Sequence, residues 1–264
     1  MSPNVKFEYD AAGSTVIYAN ATGGKELNTL ANLHAYNRYS APRQRYASSY
    51  TPLDLEGGLK FGPFRGFYLK VFAGYGIFRG SLDPFVQPLN VDGLTGVVIY
   101  PEELRFAAIN YRSTNYRGVK VGAEINYKYR SLAELSANIV YAPAKDDNDM
   151  ANAKYLNGYS LNYNDGPGIV ANINLKVTPT DKLAIGAGVE YRGQRAILQA
   201  ASGIPYGFLD LDDVWNLKAH ASYNFSKTFS VWLDANNLLN RKWDEMPGMG
   251  AQKLSVMGGV AINF

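Results

Sequence analysis

Apolar and polar residues alternate through most of the chain, and the period is clearest toward its C-terminus. From Val214 to Phe225 one set of alternate positions holds Trp215, Leu217, Ala219, Ala221, Tyr223 and Phe225. The other holds Val214, Asn216, Lys218, His220, Ser222 and Asn224, so this stretch reads as a strand with one apolar and one polar side. After Ser226-Lys227-Thr228 the period resumes with Phe229, Val231, Leu233 and Ala235, and it returns over 253–264 to end on Phe264. The polar side carries Lys218, His220, Asp234 and Lys253, whereas the apolar side carries no charge over these three strands.

Upstream, residues 6–9 and 15–21 read as a first hairpin, with the facing of its second strand left open. Leu27, Leu30, Ala31 and His34 share one helical side, which predicts a short helix within 25–34, inside a loop that runs to about residue 50. Regular alternation predicts strands over 53–61, 67–78, 133–141, 169–177 and 183–192. Residues 105–128 read as one long strand or as two, so the total is 11 or 12. Connections alternate between short (62–65, 129–131, 178–182) and long (80–103, 145–167, 200–211).

The same alternation suits a soluble barrel or sandwich with its apolar side inward and a membrane barrel with its apolar side outward. Two features favour the membrane. Outer-membrane barrels combine short periplasmic turns with long external loops. In addition, Phe61, Phe67, Tyr127, Phe225, Phe229 and Phe264 lie on the apolar side beside a short turn or at the chain end, while Trp215, Tyr75, Tyr141 and Tyr191 lie eight to ten residues away along their strands. Ten residues at ~3.3 Å rise and ~45° tilt span roughly 23 Å, close to the ~25 Å apolar band of such a barrel. The expected fold is an all-β, antiparallel up-and-down transmembrane barrel or partial barrel of about 11–12 strands, forming a single domain over residues 1–264. With 11 strands the first and last run the same way and antiparallel closure fails; this favours a part of a larger barrel.

Composition narrows the function further. The 264 residues include 20 Tyr and 26 Gly but no Cys, so a disulfide framework and thiolate metal sites are excluded. A net charge of +3, spread along the chain, leaves no basic stripe for nucleic acid. No apolar run is long enough for a transmembrane helix, and residues 1–4 lack the character of a secretory signal. Tyr68, Lys70, Phe72, Lys120, Glu124, Glu134, Glu190, Arg192, Lys218, His220, Trp232 and Asp234 are the candidate lumen-lining residues, mixed in sign. Matching the apolar sides of the closing strands puts His220 opposite Asp234 and Ser222 opposite Trp232. That pair invites a hydrolase reading, but no nucleophile elbow or paired acids accompany it. Asp146-Asp147-Asn148-Asp149 has the composition of a calcium loop without its spacing. No catalytic residue, metal site or cofactor is assigned; Tyr68, Phe72, Phe78 and Trp232 suit stacking on sugar rings or simple spacing.

The segment 231–243, VWLDANNLLNRKW, followed by a Gly/Pro loop and VMGGVAINF, resembles the C-terminal end of TonB-dependent outer-membrane receptors. Tyr116-Arg117-Gly118-Val119-Lys120 is similar to a descending strand of that family, with Lys120 where an acid is usual. Leu33-His34-Ala35-Tyr36-Asn37-Arg38-Tyr39 resembles a loop of such receptors from gut, Bacteroidetes-like bacteria. The resemblance implies uptake of a nutrient across the bacterial outer membrane, with outer-membrane lipid, a plug domain and further barrel strands as partners. The chain itself shows no plug and no TonB-binding box. A barrel hydrolase and a soluble β-rich binding module are the competing functions.

Overall fold

The computed structural model describes residues 2–11, 13–36, 46–86, 109–146, 161–162, 168–201, 204–246 and 249–262. Eleven strands follow one another in a single sheet, each antiparallel to the next. They are β1 (Asn4–Asp10), β2 (Thr15–Glu26), β3 (Ser49–Phe64), β4 (Phe67–Val86), β5 (Ile109–Tyr129), β6 (Ala133–Tyr141), β7 (Ile169–Thr180), β8 (Leu183–Gly193), β9 (Val214–Asn224), β10 (Phe229–Asn236) and β11 (Ser255–Ile262). Residues 109–129 are one strand, so among the described residues the consecutive antiparallel path has 11 strands. Among the described residues no ladder joins β1 to β11.

Register follows from keeping like sides together. Ala221 faces Leu233, and Leu233 faces Gly258, while His220 faces Asp234. A one-residue slip would turn every charge on these strands to the apolar side. The open facing of β2 is resolved in the same way: Ile17 pairs with Leu59, and Tyr18 lies on the polar side opposite Gly58. Large apolar side chains remain exposed in number, among them Phe7, Val121, Ile139, Ile173, Leu233 and Val260. All six stand on the uncharged side of the sheet, so no core is built there. Burial is concentrated at the end carrying the long connections, where Phe78, Tyr116 and Ala142 form one cluster and Leu33 and Tyr111 another.

Several connections are more ordered than the alternation predicted. β4 runs through Gly80, which adopts φ +65, to Val86. Pro84 therefore lies within a strand rather than in a loop. The segment expected as a loop over 200–211 lies in a hairpin of Arg195–Ala201 with Ile204–Leu211, and Leu198–Gln199 pairs in parallel with Phe85–Val86 of β4. Pro143–Asp146 continues past β6 to pair with β5 and with Leu161–Asn162. The expected turn over 62–65 tightens to Arg65 and Gly66, both at positive φ, as a two-residue hairpin requires. The short helix α1 (Leu30–Tyr36) starts later than predicted because β2 extends to Glu26. Residues 87–103, Asn37-Arg38-Tyr39, Asp147-Asn148-Asp149 and Phe264 lie outside the described residues.

Candidate functional site

By register, all twelve polar-side candidates share one side of the sheet. Those of them that form ion pairs do so in two groups rather than one. In the first, Lys70 reaches Glu56 at 3.3 Å and Glu124 at 3.4 Å, and Lys120 reaches Glu56 at 3.0 Å and Asp54 at 3.7 Å. The Tyr18 hydroxyl donates to Glu56 at 2.9 Å. Glu56 and Lys120 lie two strands apart, with Gly74 between them. A Cβ at Gly74 would sit 2.6 Å from the Lys120 Cε, so the bare backbone is the floor across which Lys120 extends. Phe72 uses Gly122 in the same way, its Cζ lying 2.5 Å from where a Cβ would stand. Tyr68 is half-buried opposite Asn126.

In the second group Lys218 contacts Glu190 at 2.6 Å, and Arg192 contacts Glu190 at 3.1 Å. His220 Nδ1 lies 2.6 Å from Asp234 Oδ1, as the register required. Ser222 faces Trp232 across the ladder, but among the described residues no hydroxyl is hydrogen-bonded to His220. Trp232 covers Gly259. Glu134 faces Lys128 and Lys176 in register and makes no ion pair among the described residues. Nor do three or more His, Cys, Asp or Glu side chains gather there to hold a metal.

On the opposite side, Phe67 faces Tyr127 and each is 38% exposed, while Trp215 packs on Tyr191 with ring centroids 4.5 Å apart. The rings of Phe225 and Phe229 lie 5.5 Å apart. Phe61 stands half-buried between Thr15 and Leu69.

A third cluster escaped the alternation because Arg192 of β8 is joined there by residues from the connections that follow β8 and β10. Arg192 holds Glu245 in a bidentate pair at 2.9 and 2.8 Å, and the Trp243 indole N–H donates to the same carboxylate at 2.8 Å. Arg195, 8% exposed, donates to the carbonyls of Asp212, Asp244 and Glu245. It therefore ties the hairpin after β8 to the connection between β10 and β11. Burial and the neighbouring Arg192 cation lower the Arg195 pKa. Burial disfavours the charge on Glu245, yet the hydrogen bonds from Arg192 and Trp243 outweigh it and hold the carboxyl below its ordinary value. The sign follows: this contribution is full above the ordinary glutamate value and is lost as pH falls through the lowered one. Exchange of the Trp243 indole hydrogen, followed by NMR, is expected to stay slow down to the ordinary glutamate range and to accelerate only in stronger acid. Acceleration near neutral pH would refute the clamp.

No protein-family model matches the chain, and no characterised protein matches it by sequence. Solved structures do match its fold. The ferripyoverdine receptor of the outer membrane of Pseudomonas aeruginosa aligns over 99% of this chain and 33% of its own, at TM-score 0.63 and 14% identity. The copper transporter OprC aligns over 98% and 39%, at 0.62 and 13%. The ferric-catecholate import receptor Fiu from K12 E. coli aligns over 98% and 34%, at 0.59 and 13%. This chain thus spans about a third of the length of these proteins, and it has the antiparallel fold of an outer-membrane receptor wall.

Proposed function

We propose that the chain is one wall of a TonB-dependent outer-membrane receptor barrel that takes up a nutrient, located in the bacterial outer membrane. The observation that carries this reading is the segregation of the sheet: large exposed apolar side chains on one side, ionic pairs on the other. Lipid covers the apolar side, where Phe61, Phe67, Tyr127, Trp215, Phe225 and Phe229 form the aromatic girdles. The ionic side lines a wet lumen and supports a plug domain. Because β1 and β11 run the same way, antiparallel closure takes an odd number of further strands. His220 and Asp234 act as a lumen hydrogen bond rather than a catalytic pair, so the protein is a receptor and not an enzyme. The matched structures named above from Pseudomonas aeruginosa and E. coli lend no support to the Bacteroidetes-like origin that residues 33–39 suggested.

The chain is expected to give a β-sheet circular dichroism spectrum in detergent micelles or phospholipid vesicles and to aggregate when detergent is withdrawn. A monodisperse, folded species in plain buffer would overturn the reading in favour of a soluble module.

A further inference from the structure

At the end of the wall away from the long connections, four tight turns each carry one cation. They are Arg65 between β3 and β4, Arg130 between β5 and β6, Lys182 between β7 and β8, and Lys227 between β9 and β10. All four are exposed, and none makes an ion pair among the described residues. Asp181 is the one acid in these turns, and the β1–β2 turn carries no charge. On the ionic side, by contrast, Lys70, Lys120, Arg192 and Lys218 are each met by a carboxylate.

Turn geometry does not ask for these side chains. Arg65 and Arg130 stand at φ 48 and φ 51, where a long side chain is strained and Asn or Gly is not. Lys182 and Lys227 sit in turns locked by a neighbouring hydroxyl. Thr180 Oγ1 accepts from the Lys182 N–H at 3.4 Å and the Leu183 N–H at 3.2 Å, and Ser226 Oγ accepts from the Thr228 N–H at 3.2 Å and the Phe229 N–H at 3.0 Å. Each lock presents its lysine at the end of the sheet.

The rings beside these cations give them a direction. Phe64 pairs with Phe67, and Tyr129 lies two residues beyond Tyr127, so both rings stand on the uncharged side. The Arg65 guanidinium lies 5.5 Å from the Phe64 ring centroid, and that of Arg130 lies 5.5 Å from the Tyr129 centroid. Both cations are therefore drawn to the lipid side of the rim and away from the lumen. Phe225 and Phe229 flank Lys227, and Tyr223 pairs with Leu183 beside Lys182. A cation just beyond an exposed ring at the edge of the apolar band meets a phosphodiester where the acyl chains end. The turns recur every second strand, about 10 Å apart, a spacing that suits neighbouring lipids of one leaflet. We propose that this rim binds anionic phospholipid headgroups, one to a turn. The proposal rests on the membrane reading of the sheet and names the lipid chemistry that meets its short-turn end.

The chain is first shown to be β-structured in detergent. It is then given equal amounts of phosphatidylglycerol and phosphatidylcholine with the same acyl chains, and the lipid retained is counted by native mass spectrometry. Phosphatidylglycerol is expected in about fivefold preference, the effect of one cation near an anionic headgroup. The preference should vanish when Arg65→Asn, Arg130→Asn, Lys182→Gln and Lys227→Gln are combined. Asparagine suits the left-handed backbone, so the variant keeps its turns, and an unchanged β-sheet spectrum checks this. Arg79→Gln with Lys25→Gln, which neutralises exposed cations of the loop end, should leave the preference intact. No preference in the folded parent, or one that survives the fourfold variant, overturns the lipid inference and leaves the membrane reading standing. Loss in the loop-end variant instead moves the site to the other rim and refutes this one. Displacement of the lipid by millimolar inorganic phosphate marks a site for free anions and refutes a headgroup as its occupant. Binding of purified peptidoglycan through the same four residues, without a lipid preference, gives the rim to the cell wall and also overturns the inference. Failure to form β-structure in detergent overturns both readings.

Discussion

Ile173→Arg is expected to cost about 2–4 kcal/mol of stability in a bilayer, whereas Asn172→Arg, one residue away, costs less than about 0.5 kcal/mol. The two positions differ only in the side of β7 they occupy. Ile173 is 52% exposed and lies between Ala137 and Val189 on the uncharged side. Asn172 lies between Asn138 and Glu190 on the ionic side. In water, an isoleucine already half exposed would accept arginine with little penalty. A large penalty therefore requires hydrocarbon, and it grows toward the middle of the bilayer, where Ile173 sits between the aromatic rows. At 1.4 kcal/mol per factor of ten, the folded-to-unfolded ratio should fall roughly 30- to 700-fold. Guanidinium unfolding of both variants in phosphocholine vesicles measures the contrast. Equal, small effects at 172 and 173 would mean that no lipid touches this side.

The sheet was legible from sequence because its physics is local and periodic. A period of two, an uncharged side and glycines between bulky inward residues place Lys70, Lys120, Glu124 and the His220–Asp234 register without any knowledge of tertiary packing. Legibility ends where the backbone leaves that period. Gly80 and Pro84 look like loop residues, yet β4 passes through both by slipping its register. Tyr18 gave no facing because Val16 and Ile17 are both apolar; only pairing with Leu59 and Gly58 decides it.

The mouth end was hardest to read. Arg195 and Glu245 are fifty residues apart, and nothing local links a guanidinium to carbonyls of another loop. One signal was available: a conspicuous run of Asn near the C-terminus. Its physical meaning lies in Asn237, which is 1% exposed at φ +51. Asn is among the few residues other than glycine that tolerate this backbone region, and its short amide can also bond locally.

Removing that amide should release the connection between β10 and β11. Asn237 Nδ2 donates to the carbonyls of Arg241 at 2.8 Å and Gln252 at 3.2 Å, and Oδ1 accepts from the Arg241 N–H at 3.0 Å. Asn237→Ala loses all three bonds, each worth about 1 kcal/mol, and adds a left-handed backbone penalty of roughly 1–2 kcal/mol. Asn237→Gly removes the backbone penalty alone and should be milder by about that amount. Asn237→Asp keeps the acceptor but turns a carboxylate oxygen toward two carbonyls, so it should be no better than alanine. The loss falls on the loop rather than the sheet, because Arg195 still holds Asp244 and Glu245 from the other side. Arg241 and Lys242 are exposed within that loop, so trypsin reports its opening directly. Cleavage there is expected to accelerate about a hundredfold or more in the alanine variant, less in glycine, while the β-sheet signal stays unchanged. Unchanged cleavage in all three variants would show that the loop is held without Asn237.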